Sequence, residues 1–447
     1  MKSVILGAGV VGFEIASQLI SEGKDVILIE KDPIRSNYVS NHLDCLVLNE
    51  EGSKPEILKN AGTEDADFFI SVTNSDEVNM IACGIVASEF NVPVKIARVR
   101  SLEYSRKKVF QKPIFGIDYI INPNVETARK IANIVALGAT SDVMLFEDSD
   151  VQMRNAKVDG TSFFKNKKIK DIKHEIEEEF IISAILRHEE FLIPSGDTII
   201  QENDNLYFFA TRKTLTNIFI KSGRKSEELD RIVIVGGGTI GTLVAQYLIR
   251  TGRKISIIDN EYENCRVLSD RFPEALVLNA DISDEDIFKE EIIGKNDLII
   301  TTTKNQELNI LTAAYAKGQG IKRSIALVTK SHYLSMAPEL GIDSTISPRH
   351  SSVDAIMKIV RKGNIKNLYS LFDGKAEVIE YSIDANSTIV NKSINQIDSA
   401  ENALILCVER NNKSLIPSGN FTLREGDNMI IIGRKDSVTE IENILEG

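Results

Sequence analysis

Two short glycine runs in this chain have the spacing that cradles a phosphate. Gly7, Gly9 and Gly12 follow the apolar run Val4-Ile5-Leu6, and Glu30 stands 23 residues after Gly7. Gly236, Gly238 and Gly241 follow Val233-Ile234-Val235, and Asp259 stands 23 residues after Gly236. The first glycine of such a run allows a tight turn out of a strand, the second lets backbone approach a diphosphate, and the third lets the next helix pack on the sheet. The free N–H groups of Ala8, Val10 and Val11, and of Gly237, Thr239 and Ile240, would then face the phosphates, with a helix dipole worth roughly 0.3–1 kcal/mol for an anion. A carboxylate after the second strand accepts hydrogen bonds from ribose hydroxyls and repels a 2′-phosphate. Glu30 and Asp259 therefore favour NAD(H) or an adenosine nucleotide over NADP(H). One such run is a weak signal, but two with matching context predict two nucleotide-binding units.

The elements that hold these turns are themselves repeated. Leu46-Val47-Leu48-Asn49 recurs as Leu276-Val277-Leu278-Asn279, Asp67 to Thr73 as Asp297 to Thr303, and Glu77-Val78-Asn79-Met80 as Glu307-Leu308-Asn309-Ile310, at an offset of 229 or 230. Short strands, apolar on both faces, are expected at 2–6, 25–30, 45–48, 67–73, 94–99 and 118–121, as in a parallel sheet covered on both sides. Behind each unit Leu192-Ile193-Pro194-Ser195-Gly196 and Leu415-Ile416-Pro417-Ser418-Gly419 mark turns between further strands. The expected fold is α/β: a tandem duplication of a doubly wound parallel-sheet domain followed by a small α+β domain. The boundaries read as 1–138, 139–225, 226–364 and 365–447, with a polar linker over Lys221–Glu228.

The two halves differ at the end of the fifth strand. Lys95-Ile96-Ala97-Arg98-Val99-Arg100 is matched by Ser324-Ile325-Ala326-Leu327-Val328-Thr329. Arg98 and Arg100 share one side of that strand, at the carboxyl end where ligands bind, and could clamp phosphate or stand as solvated or interface arginines. The first site is thus expected to suit a charged phosphate tail better than the second.

Bulk composition narrows the function. The 447 residues carry a net charge of −12 and a pI near 5.2, which argues against nucleic acid as a partner. Cys45, Cys83, Cys265 and Cys407 form no Cys-x-x-Cys pair, so neither zinc nor a disulfide framework is signalled. No apolar run is long enough to span a bilayer, and a strand starting at Lys2 or Ser3 leaves no room for a signal peptide. His42, His174, His188, His332 and His350 do not recur in the repeat and sit in no catalytic setting. A duplicated binder without catalytic residues reads as a sensor rather than an enzyme. An NAD-dependent oxidoreductase remains the alternative.

The run Val72-Thr73-Asn74-Ser75-Asp76-Glu77-Val78-Asn79-Met80, followed by Lys95 to Arg100 and Glu103-Tyr104, resembles the TrkA family of RCK (or KTN) regulatory proteins from bacterial Trk potassium-uptake systems. The large–small–large–small layout is similar too. The resemblance implies a Rossmann-like RCK-N domain and a small RCK-C (TrkA-C) domain in each half. It also implies a cytoplasmic, self-associating protein, dimer or tetramer, held at the inner face of the membrane by an integral potassium-translocating Trk subunit that it gates in response to NAD(H), ATP or ADP. A regulator of a different cation transporter fits the same pattern. Carried over by position, the nucleotide contacts would be Gly7 to Gly12, Glu30, Thr73, Asn74 and Arg98 in the first half. In the second they would be Gly236 to Gly241, Asp259 and Thr303, where Lys304 and Leu327 depart from the pattern. Glu50 also departs, standing where a glycine is expected. Pairing through crossover helices, here Val125–Leu137 and Val353–Val360, is a further implication.

Overall fold

Runs of Val, Ile, Leu and Phe too short for helices form the strands of four sheets. A computed structural model describes residues 1–105, 114–136, 143–146, 149–176, 178–188, 190–221, 229–284, 287, 293–337, 339–360, 365–371, 376–385, 387–397, 403–411 and 413–434. Most of the polar linker expected at Lys221–Glu228 and Leu137 of the first crossover helix lie outside these residues. The chain divides into two units, Met1–Ser141 with Glu228–Val360, and Asp142–Glu227 with Arg361–Gly447.

In the first unit, β1 (Lys2–Leu6), β2 (Asp25–Ile29), β3 (Leu46–Leu48), β4 (Phe68–Ser71), β5 (Val94–Arg98) and β6 (Tyr119–Ile121) form a parallel sheet ordered β3-β2-β1-β4-β5-β6. This is the strand order of a dinucleotide-binding sheet, which reverses direction between β1 and β4. The helices between them are α1 (Val10–Ser21), α2 (Pro33–His42), α3 (Pro55–Asn60), α4 (Asp76–Glu89), α5 (Leu102–Ser105) and α6 (Pro123–Ala136). Helix α1 buries Val11, Gly12, Ile15, Ala16 and Leu19, one stripe at helical spacing. It stops at Gly23, whose φ of +67° lets Lys24 N–H reach the Leu19 carbonyl.

The small domain that follows contains β7 (Val143–Leu145), β8 (Val151–Lys157), α7 (Ile169–Glu175), β9 (Ile181–Arg187), β10 (Glu190–Leu192), β11 (Asn205–Thr211) and α8 (Arg212–Lys221). The second large domain repeats the first with β12 (Arg231–Val235), α9 (Thr239–Ile249), β13 (Lys254–Asp259), α10 (Tyr262–Arg271), β14 (Leu276–Asn279), β15 (Leu298–Thr301), α11 (Gln306–Gly318), β16 (Arg323–Leu327), α12 (Ser331–Met336), β17 (Ser344–Ile346) and α13 (Pro348–Val360). Its sheet order, β14-β13-β12-β15-β16-β17, is the same. The last segment contributes β18 (Ile365–Leu371), β19 (Ala376–Ser382), β20 (Ala403–Arg410), β21 (Lys413–Leu415) and β22 (Asn428–Arg434).

The small sheets, β7-β8-β11-β9-β10 and β18-β19-β22-β20-β21, are antiparallel and equivalent in topology. Arg187 forks onto Asp204 at 2.8 Å and Arg410 onto Asp427 at 2.7–2.8 Å, so the turn before each last strand is pinned by the same nearly buried ion pair. Phe146, Met153, Phe191 and Phe209 share one core with Val378, Leu406, Cys407 and Ile432.

The two large domains exchange helices. Ala128, Ile131 and Val135 of α6 pack with Ile232, Val244 and Leu248 of the second half. Val353, Ile356, Met357 and Val360 of α13 pack with Ile5, Ile15 and Leu19 of the first. Lys130 and Asp354 join the two crossing helices at 2.7 Å. Helix α13 begins at Pro348, five residues before the expected Val353. The apolar stripe begins at Val353, whereas the helix starts at a proline whose fixed φ suits the first turn. Helix α6 likewise starts at Pro123, with the Asn122 side chain accepting from Asn124 and Val125 N–H.

Ile131 and Ile356 are fully buried in the other half's core. Ile131→Ala and Ile356→Ala should each cost about 2–5 kcal/mol. Urea and thermal unfolding of the full chain would show this as a lowered midpoint; an unchanged midpoint would mean the exchanged helices contribute little.

Candidate functional site

The carboxyl ends of the first sheet's strands open onto a cleft of about 560 Å³. Gly7 makes the turn at its floor with φ +100°, and its N–H bonds the Ile29 carbonyl at 2.9 Å. A Cβ at Gly12 would fall 1.9 Å from the Gly7 carbonyl oxygen, so the third glycine is required for helix-to-turn contact. Gly9 is different: it has ordinary extended angles, and a Cβ there would meet nothing within 4 Å. The space above Gly9 is open cleft, where a diphosphate would lie.

Around this turn the polar groups are already organised. Glu30 accepts from Ala8 N–H at 2.7 Å and Asp32 N–H at 2.9 Å. The Ala8 carbonyl accepts from Arg35 Nε at 2.7 Å, and the Arg35 guanidinium lies over the rings of Phe13 and Tyr38. Asn79, fully buried, ties β4 to β5. Its Oδ1 accepts from Ser71 Oγ, Thr73 N–H and Thr73 Oγ1, and its Nδ2 donates to the carbonyls of Thr73 and Arg98. The same Asn holds the strand ends that present Thr73, Asn74 and Arg98.

The far wall of the cleft is cationic. Asp76 accepts from the backbone N–H of Arg100 and Ser101, both at 2.9 Å, and from Arg100 Nε at 3.4 Å; Arg100 also donates to the Asn74 carbonyl. Arg98 is half-buried, and its Nε is buried without a hydrogen-bond partner among the described residues. Burial pushes its pKa down, and Arg100 and Arg349 push it further, with Asp76 opposing. A half-buried guanidinium with an unsatisfied Nε and neighbouring cations is relieved by an anion.

The expected site residues of the first half divide into two groups. Gly7, Gly9, Val10, Val11, Glu30, Thr73, Asn74, Arg98 and Arg100 line the cleft. Ala8 and Gly12 lie behind it and shape the turn. In the second half Gly236, Gly238, Asp259 and Thr303 line a smaller cleft of about 320 Å³, while Gly237, Thr239, Ile240 and Gly241 do not.

The second turn is built alike. Gly236 has φ +98°, a Cβ on Gly241 would fall 1.9 Å from the Gly236 carbonyl oxygen, and Asp259 accepts from Gly237 N–H at 2.6 Å and Glu261 N–H at 2.9 Å. Asn309 repeats the strand clamp on Thr303 and Leu327. The charges diverge. Gln306 stands where Asp76 does and accepts from the Thr329 N–H and hydroxyl and from Lys330 N–H, a neutral version of the same bracket. Asp259, Glu261 and Asp281 face Lys304 across this cleft, and no arginine lines it among the described residues.

Sequence reasoning missed four contributors. Arg35 lies in the first turn of α2, five residues after Glu30, and a search of that turn for cations would have found it. Asn79 and Asn309 were visible as repeated residues but carried no chemistry until the strand ends were placed. Arg349 has no local signal: it reaches the first cleft only because α13 crosses over. Glu50 is exposed at the rim of the first cleft, and Ala280 takes its place in the second.

Comparison with known proteins gives a consistent relationship. The TrkA-N domain family matches residues 3–123 and 232–348, and the TrkA-C domain family residues 156–219 and 378–446. The chain is 31% identical to a Trk system potassium uptake protein TrkA of Halomonas elongata, covering 100% of this chain and 99% of that one. It is 31% identical to a TrkA homolog of Methanosarcina mazei, covering 99% of each, and 30% identical to the Haemophilus influenzae TrkA, covering 100% and 99%. Among solved structures, the GsuK channel bound to NAD aligns with a TM-score of 0.58 at 17% identity, covering 99% of this chain and 78% of that one. The GsuK RCK domain aligns at 0.57 and 16% identity, covering 99% and 94%. At these identities the likeness is one of fold.

The second and third glycines of the first turn are separable by substitution. Gly12→Ala should lower the unfolding midpoint by the equivalent of about 1–3 kcal/mol, because its Cβ meets backbone that no rotamer change relieves. Gly9→Ala should cost within about 1 kcal/mol, the scale of a changed N-cap. Calorimetry of both variants checks this; equal losses would contradict the assignment of one glycine to packing and the other to the cleft.

Proposed function

We infer the function from one premise: the chain belongs to the TrkA family, the regulatory proteins of Trk potassium uptake. It is a potassium-transport regulator. We propose that it senses a nucleotide, NAD(H) or ATP/ADP, and passes that state to an integral potassium-translocating subunit on which it docks and which it gates. In this reading it works at the cytoplasmic face of the membrane, self-associated and held there by that partner. Among the described residues no helix is long and apolar enough to cross a membrane. The working parts are four domains, 1–138, 139–225, 226–364 and 365–447.

The observation that supports nucleotide binding most is the pairing of open space over Gly9 with an Arg98 on the same cleft whose Nε has no hydrogen-bond partner among the described residues. In this proposal the N–H groups of the turn from Gly7 to Gly12 hold the diphosphate. Glu30, anchored by Ala8 and Asp32, holds ribose hydroxyls. Thr73, Asn74, Arg98 and Arg100 hold the distal charged group. The fold likeness to a channel bound to NAD supports NAD(H) as one ligand. The second turn, from Gly236 to Gly241 with Asp259 and Thr303, takes a less highly charged ligand or binds it more weakly, since the carboxylates Asp259, Glu261 and Asp281 outnumber the single cation Lys304 in the lining of its cleft.

Ligand contacts that differ between two arrangements of the lobes would bias one arrangement, with a coupling of roughly 1–3 kcal/mol typical of such switches. Titration calorimetry of the full chain with ATP, ADP and NADH tests the binding step. Saturable heat is expected, and silence at near-millimolar ligand would remove nucleotide sensing. Arg98→Ala should weaken ATP binding by roughly tenfold or more, the scale of one charge-assisted hydrogen bond, and reduce any preference for ATP over ADP. An unchanged ATP affinity would show that Arg98 is not a phosphate contact. Affinity capture from solubilised membranes, with a potassium-translocating protein as the expected co-purifying species, tests docking.

A further inference from the structure

We propose that the first cleft is a composite site, in which Arg349 from the second half supplies a third guanidinium to the outer phosphates of a polyphosphate nucleotide. The proposal rests on the nucleotide reading of that cleft and goes beyond it. Arg349 lies in the first turn of α13, is exposed, and lines the cleft formed otherwise by the first half. It has no hydrogen-bond or ion-pair partner among the described residues.

At the β5 end of the cavity stand the three guanidiniums of Arg98, Arg100 and Arg349, with one carboxylate, Asp76, among them, ion-paired to Arg100. Arg349 is close enough to Arg98 for its charge to disfavour the Arg98 cation. Three cations gathered around a single carboxylate are unfavourable until a further anion joins them, and a guanidinium fork matches the oxygens of a phosphate. The carboxylates of Glu30, Glu50 and Glu51 lie at the opposite, β2–β3 end of the cleft, where the other cation besides Lys31, Arg35, is committed to the Ala8 carbonyl. This polarity orients the ligand: ribose towards Glu30, phosphates towards the arginines.

The arrangement is one-sided. The repeat-related position in the first half is Asn124, whose N–H bonds Asn122, and it does not line the second cleft. A phosphate tail held by Arg98 and Arg349 together would tie the β5 end of one half to α13 of the other. Helix α13 is in turn seated on α1 through Val353, Ile356 and Val360. The ligand therefore bridges the halves and does not only fill one of them.

The test uses the full chain and calorimetric titration with ATP, ADP and AMP. Arg349→Ala should weaken ATP by roughly tenfold to a hundredfold and AMP by little, and Arg349→Lys should recover part of the loss. Because Arg349 is exposed, the variants should keep the wild-type unfolding midpoint. Hydrogen exchange in the first two turns of α13 should slow with ATP in the wild-type chain and not in Arg349→Ala. Wild-type ATP affinity and ATP-to-AMP ratio in Arg349→Ala, alongside a loss in Arg98→Ala, would overturn the composite site while leaving nucleotide binding intact. If the wild-type chain binds none of the three, the nucleotide reading fails and this inference fails with it.

Discussion

The exchange of α6 and α13 is the constraint on which the rest of the structure depends. Each large domain has a sheet that needs an apolar helix over the face beside its first helix, and each obtains it from the other half. Ile131 and Ile356 sit at the centres of cores that are not their own. Neither large domain has its complete core from contiguous sequence alone. The fused pair is thus held by buried hydrocarbon rather than by surface ion pairs; the exposed Lys130–Asp354 bridge adds little by comparison.

On that frame two copies of one cleft have diverged in charge while keeping their backbone supports. Asn79 and Asn309 make the same clamp, and both turns keep the same positive φ and the same helix-to-carbonyl contact. Asp76 and Gln306 bracket the same loop amides. The carboxylate can also hold a guanidinium; the amide is matched with a threonine hydroxyl and needs no counter-ion. The backbone supports of the two clefts are shared, whereas Asn74 and Lys304, Asp76 and Gln306, and Arg98 and Leu327 differ, as expected when the fold is kept and the ligand environment varies.

Much of this was legible in the residues because it rests on local rules. Glycine spacing located both turns, apolar runs located the parallel strands, and the internal repeat located their counterparts. Strand ends observed at Ile29, Leu48, Ser71 and Arg98 fall within a few residues of those read from the sequence. Helix α13 starts before its apolar stripe, because Pro348 suits the first helical turn whatever the polarity of the residues that follow it. What was not legible depends on contacts distant in sequence. Arg349 is 251 positions from Arg98, and nothing near it in the chain signals a cavity. Arg35 and Asn79 acquire meaning only when β1, β2, β4 and β5 are brought side by side.

Carrying both halves on one polypeptide has an evolutionary consequence. Had the crossover joined two copies of a single-unit protein, a new side chain at the start of the crossing helix would have entered both crevices at once. Here Asn124 and Arg349 are separate codons, so one crevice can gain a cation while its twin stays unchanged. Fusion frees the pair from symmetry, and lets each binding function be selected on its own.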